Sequence, residues 1–142
     1  MNTRTYADSH AQRVEAAILE ALRDPYAAAA AFQRLLNWAR TGPASGVVEV
    51  ILEKGKPPRG GAPAARYIVK LGGATLPDGS VLRVYRITDV EGNTWLALVR
   101  RAEGEPSTML FLNLGPGRGT VYFPLQGGAS APMTVGVYSS EG

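Results

Sequence analysis

The stretch VLRVYRITDVEGNTWLALVRR, residues 81–101, sets the expected fold class. Apolar and polar residues alternate with a period of two in Val81–Thr88 and again in Thr94–Arg101, which is typical of β-strands whose two faces differ. Between these runs, Glu91-Gly92-Asn93 has the composition of a tight turn. Two strands joined by a short turn are antiparallel neighbours. The stretch therefore predicts a β-hairpin.

Strands with similar alternation flank this hairpin along the chain. They are Val47–Glu53, Ala65–Leu71, Thr108–Leu114, Thr120–Leu125 and Met133–Tyr138. Turn residues such as Pro77-Asp78-Gly79 separate neighbouring runs, and several connections are short. The sequence thus predicts a mainly antiparallel meander of seven strands, arranged as a β-barrel or a β-sandwich.

The first forty residues have helical periodicity instead. Ser9-His10-Ala11-Gln12 has the form of a capping box and predicts a helix start, and Asp24-Pro25 predicts a second start with Asp24 as the N-cap. Gly42-Pro43 predicts the end of the second helix. We therefore expect a single α+β domain over residues 1–142, with a helical hairpin at 8–41 and an antiparallel β region at 46–139.

Composition excludes several classes of function. Of the 142 residues, 45% are hydrophobic and 19% charged, which suits one globular domain with a core. The chain has no cysteine and one histidine, so disulfides, thiolate metal sites and multi-histidine centres are excluded, and we expect no cofactor and no metal. A net charge of +3 is small for a dedicated nucleic-acid-binding protein.

The expected location and source follow from similar features. The N-terminus has no apolar signal-peptide core, and no apolar stretch approaches the roughly 20 residues that a membrane span needs. We therefore expect a soluble protein without a signal peptide, in the cytoplasm or in a virion. The fifteen cationic residues are mostly arginine, and abundant arginine with few thermolabile residues is typical of a thermophilic or GC-rich source.

Catalytic chemistry is scarce. His10 lies near the N-terminus and is expected on a helix surface, with no pattern of a catalytic triad around it. The carboxylate pairs Asp89/Glu91 and Glu103/Glu105 fall at glycine-containing turns, where solvated acids are ordinary. The sequence predicts a protein that is not an enzyme.

Three loops are candidates for contacts with other molecules: residues 54–61, residues 126–132 and the glycine-rich segment 115–119. The last lacks the lysine and the following helix that a phosphate-binding P-loop requires, so it is predicted to be a hairpin tip. The residues predicted to make these contacts are Lys54, Lys56, Pro57, Pro58, Arg59, Pro116, Arg118 and Gln126.

The favoured function is therefore non-catalytic assembly. Ile51, Ile68 and Ile87 fall on strand faces opposite the more continuous apolar sets or on mixed faces, and such residues are expected to be buried by the helices or by a second subunit. We expect a structural or interaction protein in a homo-oligomer or larger assembly, for example an accessory subunit of a virion or other protein shell. Self-association and another protein of the same assembly are the expected partners, with no membrane.

Two alternatives stay open. One is a small basic nucleic-acid-binding domain in which cations alternate with aromatics on a sheet face. Its residues would be Arg66, Arg83, Tyr85, Arg100 and Arg101, with the loop cations Lys54, Lys56, Arg59 and Arg118. The other is a regulator that docks on a cellular enzyme.

Overall fold

Two helices precede an open antiparallel sheet. The computed structural model describes residues 6–41, 46–117, 119–122 and 138–139. The elements are α1 (Tyr6–Ala21), α2 (Pro25–Thr41), β1 (Val47–Leu52), β2 (Ala65–Thr75), β3 (Val81–Asp89), β4 (Thr94–Arg101) and β5 (Ser107–Asn113). Two further strands of two residues each, β6 (Val121–Tyr122) and β7 (Tyr138–Ser139), pair only with each other.

The α+β class with two N-terminal helices is confirmed. The predicted seven-stranded meander in a barrel or sandwich is wrong, because the described strands form one open sheet of five and a separate pair. β5 already pairs with β1 on one side and with β4 on the other, so no edge of β5 is left for β6 to extend the sheet. The predicted strands over residues 123–137 lie outside the described residues.

The sheet order is β1-β5-β4-β3-β2, with every pair antiparallel. The meander is confirmed for β2 to β5, but β1 is not beside β2 as a simple meander would place it. Residues 53–64 join these two strands across the width of the sheet. This connection has twelve residues, three of them proline, and is too long for a tight hairpin loop. β1 instead pairs with the free edge of β5.

The second helix begins where the sequence predicts. The Asp24 side chain accepts a hydrogen bond from the Tyr26 N–H at 3.0 Å, which is the N-cap interaction. The first helix begins earlier than predicted. It starts at Tyr6, so Ser9 lies inside α1 and is not its cap, because Tyr6, Ala7 and Asp8 contain no helix breaker. None of the described helices has the length and apolar character to cross a membrane.

Both helices pack on one face of the sheet. Buried apolar side chains from the two layers form a single cluster, which includes Val14, Ile18, Phe32, Leu35, Leu82, Val84, Leu96, Leu98, Leu110 and Leu112. This cluster is the main core, and its burial is the largest stabilising contribution visible in the fold.

Two ion pairs join the layers at the rim of this core. The Arg86 guanidinium of β3 donates to the Glu15 carboxylate of α1 at 2.6 and 2.8 Å. Arg40 of α2 donates to Glu49 of β1 at 2.8 and 3.0 Å, and this hydrogen bonding lowers the pKa of Glu49. The pairs fix which part of each helix lies over which strand.

Truncation of the main core should destabilise the fold strongly. Leu98 is 1% exposed at the centre of β4, so Leu98→Ala should lower the free energy of unfolding by about 2–5 kcal/mol through lost burial and a cavity. Urea denaturation measures the loss. The control Val90→Ala, at an exposed turn position, should change it by less than about 0.5 kcal/mol. Equal effects of the two substitutions would contradict the assigned core.

Candidate functional site

The sheet carries a second apolar cluster on the face opposite the helices, which we call the second face. Buried side chains from four strands meet there, namely Val50, Ile87, Ala97 and Phe111, with Val48, Tyr85, Trp95 and Met109 packed against them. Strand alternation explains the cluster, since Tyr85 is paired with Ala97 and Ile87 with Trp95 in the β3–β4 register. Both faces of the sheet are therefore apolar, and the helices cover only one.

A concavity of about 420 Å³ lies on the second face, and we call it the second-face groove. Its lining comes from all five strands of the sheet: Leu52, Ile68, Arg83, Tyr85, Ile87, Ala97, Val99, Arg101 and Met109. Its volume falls in the lower part of the range of roughly 300–1,000 Å³ found for small-molecule sites. The lining contains two guanidinium groups and no carboxylate.

The structure divides the residues predicted for nucleic-acid binding. Arg83, Tyr85 and Arg101 come together in the second-face groove. Arg100 lies on the helix side, where its guanidinium carbon is 4.9 Å from the centroid of the Phe32 ring. Arg66 is exposed at an irregular position near the start of β2. Neighbours in a strand point to opposite faces, so Arg100 and Arg101 do not act on one surface.

The predicted contact loop at 54–61 is exposed but attached to the sheet. Its cations are partly paired with an acid, since Glu53 lies 3.3 Å from the Lys56 amine and 3.7 Å from the Arg59 guanidinium. The Arg59 backbone exchanges two hydrogen bonds of 3.0 Å with Ile51 of β1. Gly60 allows this approach, because a Cβ there would meet the Glu49 carbonyl oxygen at 2.6 Å.

The exposed residues of this loop that were predicted to make contacts are Lys54, Lys56, Pro57, Pro58 and Arg59. Since the loop backbone bonds to Ile51, it covers part of the free edge of β1. The other edge of the sheet, formed by β2, has no such cover among the described residues.

The glycine-rich segment 115–119 is not a hairpin tip, because β5 and β6 do not pair. It is fastened to the β3–β4 turn instead. The Gly117 N–H donates to the Asn93 side chain, and the Gly115 N–H donates to the Asn113 side chain at 3.0 Å. A Cβ on Gly117 would meet the Asn93 side-chain oxygen at 2.5 Å, so this contact requires glycine.

These bonds leave no free backbone N–H for an anion within residues 115–117. The N–H groups of Gly115 and Gly117 are already used, and Pro116 has none. Pro116 is exposed and remains a candidate for contacts. Arg118, Gln126 and the loop 126–132, which were also predicted to make contacts, lie outside the described residues.

Asp89 is buried, contrary to the expectation of a solvated turn acid. Its carboxylate accepts the backbone N–H groups of Glu91 and Asn93 at 2.9 and 2.8 Å and the Trp95 indole N–H at 2.8 Å. Burial raises the pKa of this carboxyl, but the hydrogen bonds together outweigh burial and lower it. Asp89 organises the β3–β4 turn, and the sequence signal was an aspartate at the start of a turn, since a carboxylate that accepts the N–H two residues on, here that of Glu91, is typical of an Asx turn.

His10 is also buried rather than on a helix surface, because it lies on the same side of α1 as the buried core residues Ala11 and Val14. Within residues 6–41, 46–117, 119–122 and 138–139, no three residues of the types His, Cys, Asp or Glu are placed to hold a metal ion.

The β2 edge carries three of the five exposed large hydrophobic residues in the described part of the chain. Three consecutive residues there are largely exposed: Tyr67 at 64%, Ile68 at 61% and Val69 at 47%. β-Bulges lie on both sides of this stretch, between Ala65 and Tyr67 and between Lys70 and Gly72. The stretch between these two irregularities is residues 67–70, which we call the edge patch.

No family model, no curated protein and no solved structure matches this chain.

The Asp89 carboxylate should contribute to stability in a pH-dependent way. Asp89→Asn should lower the free energy of unfolding at pH 7 by about 2 kcal/mol, since an amide replaces an acceptor of three N–H groups. Because the folded pKa is depressed, this contribution is present above the ordinary pKa of about 3.9 and is lost as pH falls through the lower folded value.

Urea denaturation of both proteins from pH 7 down to about pH 2 measures this difference, which should narrow at the acid end. Glu91→Gln is the matched control, because Glu91 is an exposed acid of the same turn. Equal stability of Asp89→Asn and the unmodified chain at pH 7 would show that the carboxylate does not organise the turn.

Proposed function

We propose that this chain is a non-catalytic interaction protein that self-associates through the edge patch of β2 and acts in a homo-oligomer or a larger protein assembly, such as a shell. The observation that carries the proposal is the run of three exposed large apolar side chains, Tyr67, Ile68 and Val69, on an edge strand. An edge strand presents unpaired backbone N–H and C=O groups, which another strand can pair with.

The difference between the two sheet edges supports this choice of surface. The loop backbone at Arg59 bonds to β1 and covers part of that edge. The edge patch of β2 has no corresponding backbone partner among the described residues. Exposed charges, short edges and bulges are the usual protection of edge strands. Here the two bulges and Lys70 limit pairing to a few residues but leave the apolar side chains between them accessible.

A second copy of this chain fits the patch. Two β2 strands related by a twofold axis would pair antiparallel and continue the sheet from one copy to the next. Val90, which is 54% exposed, extends the apolar surface, because its N–H bonds to the Ala64 carbonyl just before β2. Since the edge patch is short, we expect a reversible, concentration-dependent oligomer.

Three carboxylates among the described residues are held in hydrogen bonds that support the fold. The buried Asp89 has its hydrogen-bonding capacity committed to the β3–β4 turn, and the most strongly bonded acids, Glu15 and Glu49, join the helices to the sheet. These carboxylates serve the fold, and no reactive constellation is formed among them.

Charges on the edge patch should abolish self-association. In Tyr67→Lys/Val69→Lys, like charges face each other across the twofold axis, and lysine is a natural protection of edge strands. Light scattering over a concentration series should give masses above 15.0 kDa for the unmodified chain and 15.0 kDa for the double variant.

Tyr26→Lys is the matched control, because Tyr26 is 73% exposed on α2 and lies on neither sheet edge. It should associate like the unmodified chain. A monomeric mass for the unmodified chain at every concentration would overturn the proposal, and so would an oligomer that the double variant leaves intact.

A further inference from the structure

The second-face groove has a charge pattern that self-association does not use. Its floor is aliphatic, with Ile87 and Ala97 buried and Val99 and Met109 half-buried. Its cations are both at one end. In the β3–β4 register, Arg83 lies opposite Val99 and Arg101 lies opposite Val81. The two arginines are therefore diagonal neighbours on one face, with their Cα atoms about 7 Å apart.

Neither of these two arginines forms an ion pair among the described residues. The described ion pairs all involve other cations, namely Arg23, Arg40, Lys56, Arg59 and Arg86. Four acids lie at the same end of the sheet, namely Glu53, Asp78, Glu103 and Glu105, and none of them forms a described ion pair with Arg83 or Arg101. Glu53 pairs with the loop cations, and the Asp78 carboxylate accepts bonds from Ser80. The cationic end of the groove therefore places two guanidinium groups outside the described ion pairs beside an apolar floor.

We propose that the second-face groove binds a small amphipathic carboxylate, with its apolar body on the aliphatic floor and its carboxylate between Arg83 and Arg101. Guanidinium groups match the geometry of a carboxylate and bind it through paired N–H donors. From Arg83 to Ile87 the groove follows β3 for about 13 Å, at roughly 3.3 Å per residue. This length accommodates an acyl chain beyond the bound carboxylate.

The lining favours such a ligand over a nucleic acid. Single-stranded nucleic acids are held by exposed aromatic rings and a row of cations that follows the backbone. In the groove the one aromatic residue, Tyr85, is half-buried and packs against the second cluster. Of the other two predicted strand cations, Arg100 lies on the other face and Arg66 is outside the groove, near the start of β2. Aliphatic side chains provide most of the remaining lining.

Isothermal titration of the full-length chain with decanoate tests this site. Decanoate should bind, whereas acetate, which has the charge alone, and decanol, which has the apolar body alone, should bind at least about tenfold more weakly. Arg83→Gln/Arg101→Gln should weaken decanoate binding by about tenfold or more, since charge-assisted hydrogen bonds are lost. An unchanged thermal unfolding midpoint would show that this variant is folded.

Arg13→Gln/Arg23→Gln is the matched control, because it removes two exposed cations from α1 and the α1–α2 turn, on the opposite side of the sheet. It should bind decanoate like the unmodified chain. The edge variant Tyr67→Lys/Val69→Lys should also keep its affinity, which separates this site from self-association.

Two results would overturn the proposal. One is decanoate binding that is absent, or that is equal in the Arg83→Gln/Arg101→Gln variant and the unmodified chain. The other is tight binding of a single-stranded oligonucleotide that competes with decanoate and is lost in the Arg83→Gln/Arg101→Gln variant. That result would assign the groove to nucleic acid.

Discussion

The structure depends on one constraint: the five-stranded sheet is apolar on both faces, but the two helices of the described residues cover only one of them. The helices bury the face that carries Leu82, Leu96 and Leu110. The opposite face carries its own cluster around Phe111 and Ala97. Burial of apolar area is the main favourable contribution to folding and also to association. The surfaces that the helices leave uncovered are therefore where binding is expected.

The order of the strands produces two distinct exposed surfaces, the edge patch and the second-face groove. Because β1 pairs with β5, the connection at 53–64 crosses the sheet and part of it lies along β1. This leaves β2 as the less protected edge, with the edge patch at its start. The same order brings Leu52 of β1 and Met109 of β5 to the groove that β3 and β4 line with arginines. Edge and groove meet at Ile68, but their main chemistry differs, since one offers backbone pairing and the other offers guanidinium groups.

Local sequence patterns predicted much of this arrangement, but the sequence predicted little of the long-range strand pairing. The period of two predicted the observed bounds of β4, Thr94–Arg101. The same period is present in β3, where Arg83 and Tyr85 share the groove face and Arg86 lies opposite, but the alignment of Arg101 with them follows only from the β3–β4 register. The partner of β1 does not follow from its own residues, because loop length restricts but does not select a neighbour. For the same reason the sequence could not predict the groove, which needs all five strands. The sequence also did not predict that Asp89 and His10 are buried, because both are residue types that are common on surfaces and only tertiary packing buries them.

Amide hydrogen exchange at increasing protein concentration tests most directly whether the exposed sheet edge is the site of association. Amides that become paired across copies should exchange more slowly as the oligomer forms. We predict that residues 67–70 of β2 become more protected as concentration rises, while Thr94–Arg101 at the sheet centre stays equally protected throughout. Exchange at residues 67–70 that is independent of concentration, while the mass of the particle increases, would contradict association through this edge.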